Sequence, residues 1–348
     1  MADRLHSPWG HRLGLLRSFL GGSPLWCAWQ VTYRCRMRCR FCDYWRLRAP
    51  ASEELSPADF ARGADNLGRL GTLMISLAGG EPLLRDDLED VVAAVARRHI
   101  TFFTTSGFGL TEERARALWQ AGLWGASVSI DYADAARHDA ARGCPGAFDG
   151  ARRALTALSE TRTAWHQQVN LMAVLMHDNL DDLDALAELA LRHRANLMVQ
   201  PYGVRKTGSR AHLPEPPVSA RLLQLKRRWP NFLSNRWFLT RFDVHLNGGV
   251  PNCAAGVRFF NIDHRGRVSP CVETMDRAVG SVLDDPAPVL VRRLRRSDVR
   301  AACRDCWYNC RGETEALYSI RGFIEGLPTY VAGPLRSRWR RRVGAGSA

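Results

Sequence analysis

Cys35-Arg-Met-Arg-Cys39-Arg-Phe-Cys42 follows directly on an apolar run, Leu25–Tyr33, and the reading of this stretch decides the fold. Three thiols at C-x3-C-x2-C spacing on one short loop can hold three corners of a cubane iron–sulfur cluster and leave the fourth iron open to a small molecule. A structural zinc site usually wants a fourth protein ligand and C-x2-C pairs, so a tri-cysteine zinc knuckle is the lesser alternative. The chain has ten cysteines. Its start, Met1–Trp9, lacks the charged opening and clean apolar stretch of a secretory signal, which makes a cytoplasmic protein the default and a disulfide framework unexpected. Clustered cysteines then point to metal or redox chemistry. Cys27 and Cys144 stand apart from the clusters and read as a buried strand residue and a turn residue.

Outward from this loop the chain alternates short apolar runs with longer amphipathic ones. Leu25–Tyr33, Leu73–Leu77, Ile100–Thr104, Ala126–Ile130, Val169–Leu175 and Leu197–Gln200 read as strands. Helices are expected from Ser56-Pro57, over Arg85–Arg98, Thr111–Ala121, Gly146–Ser159 and Asn179–Arg192, with one more near Val218–Arg228. Six such alternations predict an α/β fold with a parallel sheet covered by helices, doubly wound or curled into a partial barrel. The pattern changes after Pro214-Glu-Pro-Pro217. Residues 240–312 are short-period, Gly- and Cys-rich, with a hairpin expected across Ile262–Val268. The expected division is an N-terminal extension 1–24, a barrel 25–235, a cysteine-rich domain 236–325 and a basic tail 326–348.

After the second strand stands Ser76-Leu-Ala-Gly79-Gly80-Glu81-Pro82. The glycines admit close approach to the backbone, and a carboxylate at a strand end can accept from an ammonium group. With the cysteine motif one β/α unit earlier, the chain resembles the radical S-adenosylmethionine (radical SAM) enzymes over roughly residues 25–235. The resemblance implies a partial (β/α)6 barrel whose Cys35, Cys39 and Cys42 hold a [4Fe-4S] cluster, with SAM on the open iron. Reductive cleavage of SAM would give a 5′-deoxyadenosyl radical that abstracts a substrate hydrogen atom. Carried over singly, Phe41 would lie near the adenine. Gly79, Gly80 and Glu81 would meet the SAM amine, and Thr104, Thr105 and Ser106 its polar groups. Ser129 fits a polar strand end, and Arg142 resembles the arginine that pairs with the SAM carboxylate. Asp131 is the one candidate catalytic side chain. Ligands in parallel α/β folds bind at the carboxyl ends of strands, where all these residues lie.

The second cysteine group is Cys253, Cys271, Cys303, Cys306 and Cys310, with Gly266 five positions before Cys271. It resembles the C-terminal module called SPASM or twitch. Five thiols cannot ligate two complete cubanes, so one auxiliary [4Fe-4S] cluster is expected, on Cys253, Cys271, Cys303 and Cys306, with Cys310 as spare or alternative ligand. A structural zinc on this set stays open. An auxiliary cluster could accept an electron from a substrate radical, relay electrons inward or ligate substrate, the last disfavoured by four protein thiolates.

Hydrophobic residues make up 46% and charged residues 24%, which excludes a wholly disordered chain, and no apolar run is long enough to span a membrane. The net charge is +14, and of 49 basic residues only Lys206 and Lys226 are lysines. A solvated arginine surface is the plain explanation. Membrane-surface contact is the sharper one, through Trp9–Trp26, the run Arg292–Arg300 and the tail Arg336–Arg342. Nucleic acid is disfavoured because no recognition motif accompanies the charge. The functional expectation is peptide natural-product maturation, with an electron donor such as flavodoxin or ferredoxin. Tailoring of a small metabolite, tetrapyrrole or lipid is the runner-up, and a non-catalytic iron–sulfur or zinc protein the rival of another class.

Overall fold

The computed structural model describes residues 8–299 and 303–332, with side chains to 326. Arg300 and the arginines at 336–342 lie outside the described residues. A first helix, α1 (Pro8–Leu20), precedes the alternation. Then follow β1 (Trp26–Thr32), α2 (Pro57–Leu67), β2 (Met74–Gly79), α3 (Leu88–Ala96), β3 (Ile100–Thr105), α4 (Glu112–Gln120) and β4 (Gly125–Ser129). Next come α5 (Ala135–Arg142), α6 (Ala147–Thr161), β5 (Gln168–Leu175), α7 (Asp182–Arg192), β6 (Asn196–Pro201) and α8 (Ser219–Arg228).

Strands β1 to β6 pair in parallel in sequence order. This is an open, curled α/β sheet. On the free edge of β1 lies β7 (Phe259–Ile262), also parallel, and β8 (Arg267–Ser269) and β9 (Gly280–Ser281) continue antiparallel. The hairpin expected across 262–268 is thus present, and the cysteine-rich segment extends the barrel's own sheet. Local chemistry sets the helix starts. Ser56 and Asp59 form a reciprocal capping box ahead of α2, and Thr111 caps α4 through the amide of Arg114. Helix α5, not anticipated, is opened by Asp134, whose carboxylate accepts from Arg137 N, and closed by Gly143 in the left-handed region.

Side-chain parity divides each strand. Trp29, Ile75, Phe103, Val128, Leu171 and Val199 face the helices and build the main core. The opposite parity faces the concave side: Ala28 and Gln30, Ser76 and Ala78, Thr104, Ser127 and Ser129, Asn170 and Met172, Met198 and Gln200, and Asn261. At the amino ends of the strands that side is plugged by Leu25, Met74, Ile100, Trp124 and Leu317, with Leu15 and Phe19 of α1 against them. The concave face opens at the carboxyl ends.

Three buried histidines make the fold acid-sensitive. Burial lowers His99, His138 and His245 each to about 4. His99 accepts from Leu73 N while its other nitrogen meets Ala64 O. Their contribution is complete above the ordinary histidine value. As pH falls below it the unfolded chain takes up protons that the folded chain refuses, so stability should drop by about 1.4 kcal/mol per pH unit for each group, down to about pH 4. Urea midpoints at about pH 7 and about pH 5 test this; equal midpoints would contradict neutral burial of these rings.

Candidate active site and metal centres

The loop Cys35–Cys42 leaves β1 and lies against the end of α5. Arg38 N and Arg40 N donate to the carbonyls of Arg142 and Ala141 at 2.9 and 3.0 Å. Gly143 has φ +57, and a Cβ there would come within 2.7 Å of Arg38 O, so glycine is required for this approach. Met37, Cys39 and Phe41 anchor the loop in a buried cluster with Tyr132, Ala141, Cys144, Ala147 and Met176, and Cys35 and Cys42 pack at its margin. Phe41 is therefore a packing anchor of the loop. Burial pushes the Cys35 thiol up to about 12 and Cys39 up to about 11, the latter opposed by Arg142.

Arg142 is buried and turned to Asp131, with Nε and Nη2 at 2.8 and 2.6 Å from its Oδ2. Nη1 stands 4.0 Å from Cys39 Sγ, and the guanidinium lies 5.2 Å from the Phe41 ring centroid. Asp131 also accepts from Val174 N at 2.9 Å. The two residues singled out for separate roles are thus partners, and the pair leaves positive charge beside a thiol.

Glu81 is buried and accepts four hydrogen bonds: from Thr105 Oγ1 (2.6 Å), Ser106 N (2.7 Å), Ser106 Oγ (2.5 Å) and Leu83 N (3.1 Å). It locks the end of β2 to the end of β3. Gly79 and Gly80 have a packing reason as well. A Cβ on either would come within 2.0 Å of Thr32 O or 2.1 Å of Arg34 O, the stretch that leads into the cysteine loop. Thr104 and Ser129 are half-buried, and their side chains make no hydrogen bond among the described residues. Glu81→Gln should therefore act on the fold as well as on SAM. An amide NH2 facing these donors leaves buried groups mismatched, at a cost of about 1–3 kcal/mol. Thermal unfolding alongside SAM titration checks this, and unchanged stability would contradict the locking role.

All five C-terminal cysteines stand in one group. Cys253 and Cys271 pack with Ala254, Ala255 and Phe259, with Cys303 against them. A hydrogen bond shared by Cys253 and Cys303 raises the former and lowers the latter. Cys306 feels Cys310, Cys271 and Cys303, and burial pushes Cys310 up to about 12, with Cys271 adding to it. Every cysteine is a free thiol. Among the described residues no three His, Cys, Asp or Glu side chains converge to hold a single metal ion. Three free thiols on the first loop and five in the second group are the donor type that a cubane takes.

Arg311, fully buried, holds this module together. It donates to Glu315 (3.2 Å) and to the carbonyls of Cys306 (3.0 Å), Val250 (2.8 Å) and Pro251 (2.9 Å), while Glu315 accepts from Ala254 N. Two cysteine-bearing loops thus hang on one guanidinium. Arg311→Met should cost about 3–5 kcal/mol, because it strands the buried Glu315 charge. A melting temperature close to that of the unaltered protein would contradict this role. The residue was legible only as an i, i+4 Arg–Glu pair.

Between the two cysteine groups lies Lys206. Its Nζ reaches Tyr44 OH at 2.9 Å and Glu273 Oε1 at 2.8 Å, and it sits 4.2 and 5.4 Å from the ring centroids of Tyr44 and Tyr308. Tyr44 follows Cys42 by two residues and Tyr308 precedes Cys310 by two. The sequence signal was a lysine kept in an arginine-rich chain.

Apart from the Lys206–Glu273 pair, the concave surface that β1 to β6 present between these groups is polar without charge. No inward-facing residue of β1 to β6 is ionisable; on β8, Arg267 shares the side of Ser269 and is paired with Asp263. Gln30 donates to Asn261 (2.9 Å), which donates to Ser269 (3.1 Å); Asn196 donates to Asn170 (3.1 Å), which donates to Ser127 (3.4 Å). Gln30 Oε1, Asn309 Oδ1 and the Tyr308 hydroxyl are buried without a partner among the described residues.

Known proteins resemble this chain in sequence and fold. The family model described as "Radical SAM superfamily" matches residues 29–190. A mycofactocin maturase of Mycolicibacterium smegmatis is 30% identical over 329 residues, covering 88% of this chain and 81% of that protein. A PqqA peptide cyclase of a Methylobacterium species is 27% identical, covering 85% and 83%. Among solved structures, Streptococcus suis SuiB bound to S-adenosylmethionine superposes with a TM-score of 0.63 at 15% identity, covering 86% of this chain and 75% of that one.

Proposed function

Since the chain belongs to the radical SAM superfamily and carries a C-terminal module of the SPASM/twitch kind, we propose that it modifies an unactivated carbon of a peptide substrate. When bound, a [4Fe-4S] cluster would supply one-electron reduction of SAM, the source of the radical that would abstract a substrate hydrogen atom. Cys35, Cys39 and Cys42 would hold that cluster, with the Arg142 charge offsetting thiolate charge at Cys39. Thr104 and Ser129, whose hydroxyls are uncommitted, would bond SAM's polar groups. The plug closes the barrel at the amino ends of the strands, and a bound substrate would close the carboxyl-end opening to water. Cys253, Cys271, Cys303 and Cys306 would hold an auxiliary [4Fe-4S] cluster, with Cys310 beside them, suited to take up the electron left on the substrate.

The observation that supports the substrate class is the uncharged surface of the inward-facing positions of β1 to β6, beside which Lys206 is already paired with Glu273. Side-chain amides and hydroxyls match the alternating donors and acceptors of a peptide backbone. A tetrapyrrole would bring carboxylates, which call for fixed cations that the inward-facing positions of β1 to β6 do not offer. Kinship with a peptide cyclase supports this reading, and kinship with an AdoMet-dependent heme synthase, 25% identical over 349 residues, makes the tetrapyrrole the alternative to test beside it. The test incubates the anaerobically reconstituted protein, SAM and dithionite with deuterated peptides encoded beside its gene, and with a tetrapyrrole dicarboxylate in parallel. Deuterium in 5′-deoxyadenosine from a peptide is expected. Turnover of the tetrapyrrole alone would overturn the peptide reading.

A further inference from the structure

Helix α1 is apolar on its outer side as well as its inner one. Inward it sets the buried His11 and Ser18 and the half-buried Leu15 and Phe19, with Gly14 pressed onto Thr72, where a Cβ would come within 2.2 Å of the Thr72 hydroxyl. Its outward positions are Trp9 (58% exposed), Leu13 (57%), Leu16 (47%) and Leu20 (75%), one stripe at 4, 3 and 4 residue spacing. A surface helix ordinarily turns charged and polar residues outward. A second stripe continues it. Ile320, Phe323 and Ile324 of the helix Ile320–Ala332 are exposed, and Phe323 stacks on Phe19 of α1 with ring centroids 5.9 Å apart. Two adjoining helices therefore show leucine, isoleucine, phenylalanine and tryptophan to the outside, more than scattered surface apolar residues explain.

Arginines frame this face. Arg17 and Arg321 are exposed on the two helices. Arg295 donates to Gly22 O at 2.6 Å, which sets the exposed run Arg292, Arg293, Arg295 and Arg296 beside the end of α1. Arg17, Arg292, Arg295, Arg296 and Arg321 form no ion pair among the described residues. At the other end of α1, Arg12 stacks on Trp9 and Trp165, at 5.3 and 4.2 Å from the ring centroids. The sequence that continues from the helix Ile320–Ala332, residues 333–348, adds five arginines around Trp339 and no acidic residue.

We propose that this face docks on an anionic lipid surface. An apolar stripe that can enter the headgroup boundary and a polybasic segment drawn to anionic lipid are the two signals that together give stable attachment. Tryptophan with arginine at the margin suits the interface. An acidic protein would satisfy the arginines but leave the isoleucine and leucine stripes unexplained. No helix of the described residues is long and apolar enough to cross a membrane, so the contact is peripheral. The face lies at the amino ends of the strands, opposite the cysteine loop, and docking there leaves the concave site open to a soluble substrate. The proposal is independent of the substrate assignment.

The experiment is co-sedimentation of the full-length, reconstituted protein with vesicles of phosphatidylcholine alone or mixed equally with phosphatidylglycerol, at low and high salt. Binding to the mixed vesicles alone, weakened by salt, is expected. Leu13→Asp with Leu16→Asp, both exposed and at the opposite end of the strands from the Cys35–Cys42 loop, should weaken it about tenfold or more by removing buried apolar area, with melting temperature and SAM cleavage unchanged. Four results would overturn the proposal: no sedimentation with vesicles; equal binding to both compositions; full binding by the double variant; or binding of polyglutamate as tight as that of mixed vesicles. A concentration-dependent dimer that the double variant abolishes, without vesicle binding, would assign the face to a second copy.

Discussion

Replacing any one of Cys35, Cys39 or Cys42 by alanine should abolish 5′-deoxyadenosine formation from SAM and dithionite. The three thiols sit on one loop held to α5 by two backbone hydrogen bonds and a buried aromatic cluster. No other cysteine is positioned as a substitute. Cys144, in the same cluster, follows Gly143 at the end of α5 and faces Pro145 O at 3.9 Å. An open cubane needs all three thiolates to present its free iron. The fold should largely persist, because Met37, Phe41 and the Arg142–Asp131 pair hold the loop whichever thiol is lost. Near-normal cleavage by any single variant would mean the cluster is held elsewhere.

The double variant Cys303→Ala/Cys306→Ala should lose about half the iron and keep SAM cleavage, slowed and uncoupled. Product should fall much further than cleavage, since an electron acceptor is lost at the seam where Lys206 touches both cysteine-flanking tyrosines. Stability should fall as well, because metal that ties distant segments contributes directly to folding, here segments already joined through Arg311. Cys310→Ala alone should do little if Cys310 is a spare. Its electrostatic contact with Cys271 and Cys306 makes this the informative control: loss of the second cluster in Cys310→Ala but not in Cys303→Ala would exchange the two assignments. Full iron and full product in the double variant would remove the second cluster altogether.

The fold was legible where patterns are local. Six apolar runs bounded by Gly and polar residues became β1 to β6 within a residue or two, and Ser56 and Thr111 cap the helices they announced. What escaped depends on contacts distant in sequence. That β7 joins β1 is a pairing across more than 230 residues, and nothing in Phe259–Ile262 names its partner. Helix α5 is short and Ala/Arg-rich, with no apolar period to mark it. At the site, residue types were legible and their partnerships were not. Glu81 and Arg142 each read as a group for SAM, and the partners that hold them, Thr105 and Ser106 for Glu81 and Asp131 for Arg142, were not legible. The glycines of Gly79-Gly80 read as room for a ligand, and they also bring β2 against the exit of β1.

The central claim is one open cluster in the barrel and one closed cluster in the C-terminal module, and Mössbauer spectroscopy of the iron-57-enriched protein, with and without SAM, tests it most directly. The account predicts about eight irons per chain as two cubanes, with SAM altering the signal of a single iron in one of them. A single cubane, zinc without sulfide, or a spectrum indifferent to SAM would contradict it.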